Sequence, residues 1–398
     1  MQKSVYLDYA ATTPVDPEVL SAMVPCFSEN FGNASSGHLK GREACLAVEE
    51  ARQKVAGLIN ASPEEIIFTS GGTEADNLAI SGIATASREL GNHIITTSIE
   101  HHAVFETCHH LQKQGFEVTF VPVEPDGIVD AEHIRQAVTG KTILISVIYA
   151  NNEIGTIQPV KEIAGIARKY GVSSHSDAVQ AIGREHIDVK EMGVDMLSLT
   201  AHKFYGPKGI GALYIRNGLQ LSPILYGGGQ EKGLRPGTES VPLIVGFGKA
   251  AEIAMRDMEA EIKRLKLLRD KLINGIMQSI EGVLLNGDMA KRLPNNVSVC
   301  FEGLAFKKTA SGDMPGGYLY LNRELDKHGI CASAGSACSG TEATPSHVLI
   351  ALGRNPEQAQ GALRLSLGKW TTEADIDNTL EDLPKIVERL RTGNTIRL

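Results

Sequence analysis

Between residues 62 and 216, short apolar, β-branched runs alternate with stretches of helical periodicity. Ile66–Thr69, His93–Thr97, Val118–Val121, Thr142–Tyr149, Val172–His175, Met196–Leu199 and Gly211–Ile215 read as strands, with Ala131–Val138 and Val160–Tyr170 among the intervening helices. This alternation predicts parallel βαβ units, forming an α/β sheet with helices on both faces. Ligands in such sheets collect beyond the carboxyl ends of the strands. Lys203, Asp177 and Asn152 each follow a predicted strand within a few residues.

From about residue 243 the pattern changes. Ile253, Met258, Ile262, Leu265, Leu268, Leu272 and Ile276 recur with charged residues between them, predicting one long helix into a smaller C-terminal domain. There, Asn296–Phe301 and Tyr318–Tyr320 read as strands. Thr372, with Asp375 three residues on, marks the start of a helix carrying Ile376, Leu380, Leu383, Ile386, Val387 and Leu390. The polar, glycine-rich stretch Lys307–Gly317 has the weakest case for regular structure. No internal repeat or coiled-coil heptad stands out.

A chain of 398 residues accommodates a large domain with a smaller one attached. Hydrophobic content of 42% and charged content of 22% suit an ordinary soluble protein. A net charge of −8 speaks against direct nucleic-acid binding. No apolar run approaches the ~18 residues of a membrane helix, and the start of the chain lacks a signal peptide's apolar core. The six cysteines show no paired framework and read as reduced thiols, which places the protein in the cytoplasm.

Candidate chemistry centres on Leu199–Lys208. Lys203 closes an apolar segment beside Thr200 and His202, just before a Gly-Pro turn, where it can hold an aldehyde cofactor as a Schiff base. Upstream, Asp177 ends another short segment and offers an acidic partner to a pyridinium nitrogen. Ser70–Asn77 follows a strand and opens a helix, so Gly72 and Thr73 lie where a phosphate would meet free N–H groups. Taken alone it reads as a glycine-rich strand-to-helix turn; beside Lys203 and Asp177 it reads as a phosphate cup.

His101, after the strand His93–Thr97, suits a ring laid over the cofactor and a proton carrier. His102, His109 and His110 read as solvated. No metal-ligand spacing accompanies these histidines, and no metal is expected. Cys338 sits in a loop of small and hydroxyl residues, a setting for an exposed, mobile thiol. Cys26, Cys45, Cys108, Cys300 and Cys331 read as inert. Arg364 lies within an apolar run and needs a partner, either a substrate carboxylate or an internal acid. Asn152 either bonds a ligand or shapes a turn.

Together these segments, with Tyr6–Pro14, Phe31–Asn33, Ala150–Thr156, Gly227–Glu231 and Arg235–Thr238, resemble the cysteine desulfurase family of fold-type I pyridoxal phosphate enzymes over essentially the whole chain. The resemblance implies a large cofactor-binding domain over residues 15–255, with 1–14 and 256–398 forming a small α+β domain that carries the cysteine loop. It implies Lys203 as the Schiff-base lysine, Asp177 at the pyridine nitrogen, Gln180 near the ring hydroxyl and His101 stacked on the ring. Gly72, Thr73, Thr200 and His202 would hold the phosphate, with Thr238 reaching the neighbouring subunit's phosphate in a homodimer. Arg364 and Asn152 would hold the substrate carboxylate, and Cys338 would accept the sulfur.

The implied reaction converts L-cysteine to L-alanine, passing sulfur through a Cys338 persulfide to acceptors such as an iron–sulfur scaffold or a thiolation enzyme. Selenocysteine lyase is the alternative, a transaminase is more distant, and a non-catalytic interaction protein would not need these groups. Two departures stand out: the loop Ala334–Gly340 lacks the second serine, and the threonine after the cysteine, that relatives commonly have, and Lys307–Gly317 looks longer than its usual counterpart.

Overall fold

The computed structural model describes residues 4–304, 317–333 and 345–392. In chain order its strands are β1 (Val5–Tyr6), β2 (Ile66–Thr69), β3 (His93–Thr97), β4 (Glu117–Val121), β5 (Thr142–Ser146), β6 (Ser173–Asp177), β7 (Met196–Thr200), β8 (Gly211–Ile215), β9 (Val283–Leu285), β10 (Asn296–Phe301), β11 (Ile330–Cys331) and β12 (Ala362–Ser366).

Seven of them form one sheet in the order β2-β8-β7-β6-β5-β3-β4. All neighbours are parallel except at β8, which runs antiparallel to both β2 and β7. Alternate residues explain why both faces are covered. Ile66, Phe68, Leu197 and Leu199 pack against the helices Leu39–Leu58 and Val241–Ser279. Ile67, Met196 and Leu213 face the helices Gly72–Ala86 and His102–Lys113. Burial on both sides produces the short, continuous apolar runs of a parallel sheet. The seven expected strands are all present, with ends moved by up to three residues: β5 stops at Ser146, and β6 extends to Asp177.

A second core surrounds the antiparallel sheet β12-β10-β9. Val297, Val299, Leu363 and Leu365 pack there with the C-terminal helix Glu373–Arg391, whose start is a capping box between Thr372 and Asp375. Val5 and Leu7 join this core, and β1 pairs with β11, so the beginning of the chain lies with its end. The helix Val241–Ser279 spans 39 residues, about 58 Å at 1.5 Å per residue. Its first half packs in the main core through Ile244, Phe247 and Ile253; its second half packs in the other through Leu265, Leu272 and Ile276.

One strand expectation fails. Tyr318–Tyr320 lies in a helix, Gly317–Lys327, because the apolar pattern continues to Leu321 and Leu325, both fully buried and four residues apart. Three alternating residues were too few to separate period two from period 3.6. Most of Lys307–Gly317 lies outside the described residues.

Candidate active site

The strand ends bring the candidates together. Asp177 ends β6, the residues after β7 supply His202 and Lys203, those after β3 supply His101, and those after β5 supply Asn152. With Gly72, Thr73, Gln180 and Thr200, these line a cavity of about 220 Å³. A smaller recess of about 70 Å³ adjoins it and shares His101, Asn152, Gln180 and Lys203. Glu100, Glu153, His347 and Arg364 line its far side.

Local structure fixes each group. The Lys203 ammonium donates to the carbonyls of Ala10 (2.7 Å) and Ala11 (2.8 Å), and Gln180 Nε2 donates to Ala10 as well (3.0 Å). The turn beyond Lys203 is held tightly: Tyr205 takes a left-handed backbone (φ 70°), secured by the Thr13 hydroxyl on its N–H at 2.8 Å. Such a backbone costs a non-glycine residue roughly 1–2 kcal/mol, so the surroundings determine where Lys203 stands. Thr200 donates its hydroxyl to Ile210 (3.1 Å), and His202 Nδ1 lies 3.1 Å from the Thr12 hydroxyl.

Asp177 is buried, and Oδ1 accepts the Val179 N–H at 2.9 Å. Burial raises its pKa, while the Val179 bond and the Lys203 charge pull the other way. Asp76 is buried nearby, its Oδ1 without a hydrogen bond and 3.6 Å from His175 Nε2, and its acidity is suppressed first by burial and then by Asp177. Asp76, His101 and Asp177 bring polar atoms within 4.8 Å of one another.

Glu100 is fully buried and pushed up to about 8 by burial; Oε1 takes the Thr97 hydroxyl (2.6 Å) and the Ile148 N–H (3.1 Å), leaving Oε2 without a partner. The cavity thus carries two buried acids, Asp76 and Asp177, beside the Lys203 ammonium, the recess adds Glu100 and Glu153, and a protonated ring nitrogen would pair with Asp177. Burial depresses His101 to about 4, with Lys203, His102 and His347 adding to the effect. Its Nδ1 accepts the Ala103 N–H at 3.1 Å, so the neutral ring carries its proton on Nε2. Burial likewise takes His202 to about 4 and His175, in the layer below, to about 3.

Pyridoxal phosphate fits this arrangement. The helix Gly72–Ala86 opens at the cavity without a side-chain cap from Gly71, leaving first-turn N–H groups for an anion. A Cβ on Gly72 would stand 2.7 Å from Val179 Cγ2, so the close approach of this turn to the cavity wall requires glycine. The same cavity holds a buried acid that would suit the ring nitrogen and a lysine that would suit the aldehyde.

The adjoining recess is assembled from distant segments. Arg364 is 2% exposed, donating from Nη2 to Asp8 Oδ1 and from Nη1 to the Asn152 carbonyl, each at 2.9 Å. The internal acid is therefore realised, while the buried Nε has no hydrogen-bond partner among the described residues. Backbone bonds join Arg364 to Ser333 in both directions (2.6 and 3.2 Å). Ser346 donates to Glu153 Oε2 (2.5 Å), and His347 Nε2 donates to the Glu100 carbonyl (3.0 Å).

Cys338 lies outside the described residues, and Thr238 is exposed and lines neither recess. The five described cysteines are free: burial pushes Cys108 up to about 12 and raises Cys26, Cys300 and Cys331, whereas Cys45 is exposed. Sequence reasoning passed over Asp8, Asp76, Glu100, Glu153 and His347. Two of them carried a signal: Asp76 interrupts the apolar face of its helix, and Glu100 directly precedes His101.

The chain matches the model of the class-V aminotransferase family over residues 5–379. It is 52% identical to the cysteine desulfurase IscS of Clostridium botulinum over 98% of this chain and 96% of that one. It is 44% identical to the mitochondrial cysteine desulfurase of Arabidopsis thaliana over 98% of this chain and 83% of that one. Among solved structures it resembles a NifS-like protein (TM-score 0.88, 40% identity, covering 97% and 99% of the two chains). It also resembles SspA in complex with cysteine (TM-score 0.79, 36% identity, 93% and 100% coverage). Likeness at this level along nearly the whole chain, over a cavity shaped for pyridoxal phosphate, places the protein in the class-V aminotransferase family, among the cysteine desulfurases.

Proposed function

We propose that this enzyme works as a homodimer that converts L-cysteine to L-alanine and delivers the sulfur, by way of Cys338, to an acceptor protein such as an iron–sulfur scaffold or a thiolation enzyme. We further divide it into a cofactor-binding domain, residues 15–255, and a small domain formed by 1–14 and 256–398. The separate core around β12-β10-β9, which includes Val5 and Leu7, supports that division. No described helix is long and apolar enough to cross a membrane, and we assign the reaction to the cytoplasm.

Bound pyridoxal phosphate supplies an electron sink for bonds at the substrate's α-carbon. Gly72, Thr73, Thr200 and His202 would hold the phosphate, and the partner subunit's Thr238 would complete that site. Asp177 would stand at the ring nitrogen and Gln180 at the ring hydroxyl. Arg364 and Asn152 orient the substrate carboxylate, with Asp8 giving up part of its hold on the guanidinium. Lys203 moves the α-proton. His101 would cover the ring with its Nε2–H available as a donor; to accept a thiol proton there it must first release Nδ1 from the Ala103 N–H. Cys338 thiolate attacks the substrate sulfur: one S–S bond forms, the C–S bond breaks, and the carbon left behind is protonated. Free cysteine plus the Cys338 thiol thus give alanine plus a Cys338 persulfide, in balance.

The observation that carries this reading is the convergence of Lys203, Asp177 and His101 on one cavity whose neighbouring recess presents Arg364. Cys338 is five residues along the chain from Ser333, at most about 18 Å of contour, and Ser333 is bonded to Arg364. Alanine formed from cysteine in the presence of a thiol reductant tests the reading. Cys338→Ala should lose at least about 100-fold in rate, the scale of removing an activated nucleophile. A variant as active as its parent, with both acting well on selenocysteine, would replace the reading with selenocysteine lyase.

A further inference from the structure

β2 is an edge strand of the main sheet, paired only with β8. Its outward backbone groups would ordinarily invite another strand or water. Instead, Arg52 Nη1 donates to the Ile66 carbonyl (2.9 Å), and Glu231 Oε2 accepts the Phe68 N–H (2.7 Å). The two side chains join in a two-point ion pair at 2.9 and 2.7 Å. The Glu231 side chain is 2% exposed and that of Arg52 10%. The Arg52 guanidinium also lies over the Phe68 ring, 4.7 Å from its centre. The ion pair occupies the place of a missing strand.

Glu231 does this from a strained position. It and Lys232 are consecutive non-glycine residues with left-handed backbones, φ 45° and 59°. Such a pair persists where contacts over-determine it, and the carboxylate's three bonds do so. A second tie lies on the far side of the phosphate turn. Arg235 Nε donates to Glu74 Oε1 (2.9 Å), while Glu74 Oε2 accepts the Ser70 N–H (2.8 Å). The Gln230 carboxamide accepts the Gly237 N–H (3.0 Å) and so braces the segment internally. The stretch from Gln230 to Gly237 is thus fastened to both arms of the Phe68–Glu74 turn whose Gly72 and Thr73 line the cofactor cavity. Thr238 stands exposed immediately beyond.

We propose that Arg52 and Glu231 are positioning residues for cofactor retention, the ion pair locking the segment that presents Thr238 to the other subunit's phosphate site. The proposal rests on the reading of Thr238 given above. It makes one strand–turn–helix serve two phosphates: its inner side binds its own subunit's, and its outer edge aims Thr238 at the neighbour's. Arg52 and Glu231 line neither recess, so the proposal routes their effect on the cofactor through the segment that carries Thr238.

The test is the rate at which dimeric holoenzyme loses its cofactor on dilution into buffer containing a cofactor scavenger, followed by visible absorption. Parent, Glu231→Gln, Thr238→Ala and the double variant are compared, with thermal stability and sedimentation recorded for each. Both single variants should release cofactor about tenfold faster, the factor that 1.4 kcal/mol of lost interaction produces. The double variant should release it no faster than the quicker single one, because both changes remove the same contact. Parental release from Glu231→Gln beside fast release from Thr238→Ala overturns the proposal and leaves the Thr238 reading intact. Multiplied effects in the double variant also overturn it. Parental release from Thr238→Ala overturns that reading and the proposal with it. Should Glu231→Gln fail to fold, Arg52→Lys, which keeps the charge and loses the fork, decides by the same comparisons.

Discussion

The cofactor end of the site draws on the tips of neighbouring strands in one sheet, whereas the substrate end gathers Asp8, Glu153, Ser333, His347 and Arg364 from across the chain. Around the cofactor, strand spacing and register set the side chains to within the tolerance of a packed core. Around the substrate, two cores meet, and side-chain ties hold the join: Arg364 to Asp8, Ser346 to Glu153, and His347 to the Glu100 carbonyl. On the proposed reading, chemistry thus sits within one sheet and recognition at a join between two cores held by side-chain ties.

Substitutions at the two ends should separate these roles. The largest effect belongs to the cofactor end. Lys203→Ala should lower kcat by about 10³-fold or more, as expected for removing an acid–base group, and should change the visible spectrum of the cofactor-bound protein. Normal turnover with an altered spectrum would divorce Lys203 from the α-proton. At the substrate end, Arg364→Lys keeps a charge and loses the fork, so KM for cysteine should rise about 10- to 100-fold, equivalent to 1.5–3 kcal/mol, with kcat changing much less. A kcat loss as large as that of Lys203→Ala would erase the distinction between the two ends.

Asp8→Asn probes the internal competitor for Arg364. The variant should lose on the order of 1–2 kcal/mol of stability without substrate, the scale of a charge-assisted hydrogen bond. It should bind cysteine a few-fold more tightly, because the substrate carboxylate no longer displaces an ion. Weaker binding would make Asp8 a supporter of Arg364.

The smallest effect concerns Glu100. Folding raises its pKa to about 8, so between about 4.5 and 8 the folded protein holds a proton that the unfolded chain has released. Stability therefore falls as pH rises through that window. Glu100→Gln removes this dependence, and its Tm should decline by a few degrees less than the parent's from pH 5 to 8. His101, His175 and His202 work in the opposite sense. Depressed to about 4, 3 and 4 by burial, they remain neutral in the fold, and their share of stability is lost as pH falls below about 6.5. That acid limb should be the same in both proteins, and a change confined to it would assign the effect to the histidines.

What could be read in advance follows the same division. Lys203, Asp177 and Asn152 could be placed because each follows an apolar run that ends at the cavity, and Thr372 because its capping box is local. Asp8 could not be matched to Arg364, 356 residues away, since no periodicity links them; only the need for some acid was visible. Asp76 and Glu100 were in plain sight beside the motifs, but their importance comes from burial, which composition does not reveal. Glu231 belonged to a recognisable glycine-rich stretch, while its place along the edge of β2 depends on tertiary packing with Arg52. Tyr318–Tyr320 misled because three residues fit either period.

The helix Val241–Ser279 contributes apolar side chains to both cores. Neither core can come apart without stripping one half of that helix of its cover, leaving a polar-backed rod that has little helicity to lose gradually. Heating should accordingly melt the described parts of a subunit in one cooperative transition, and a proline placed at mid-helix would split that transition in two.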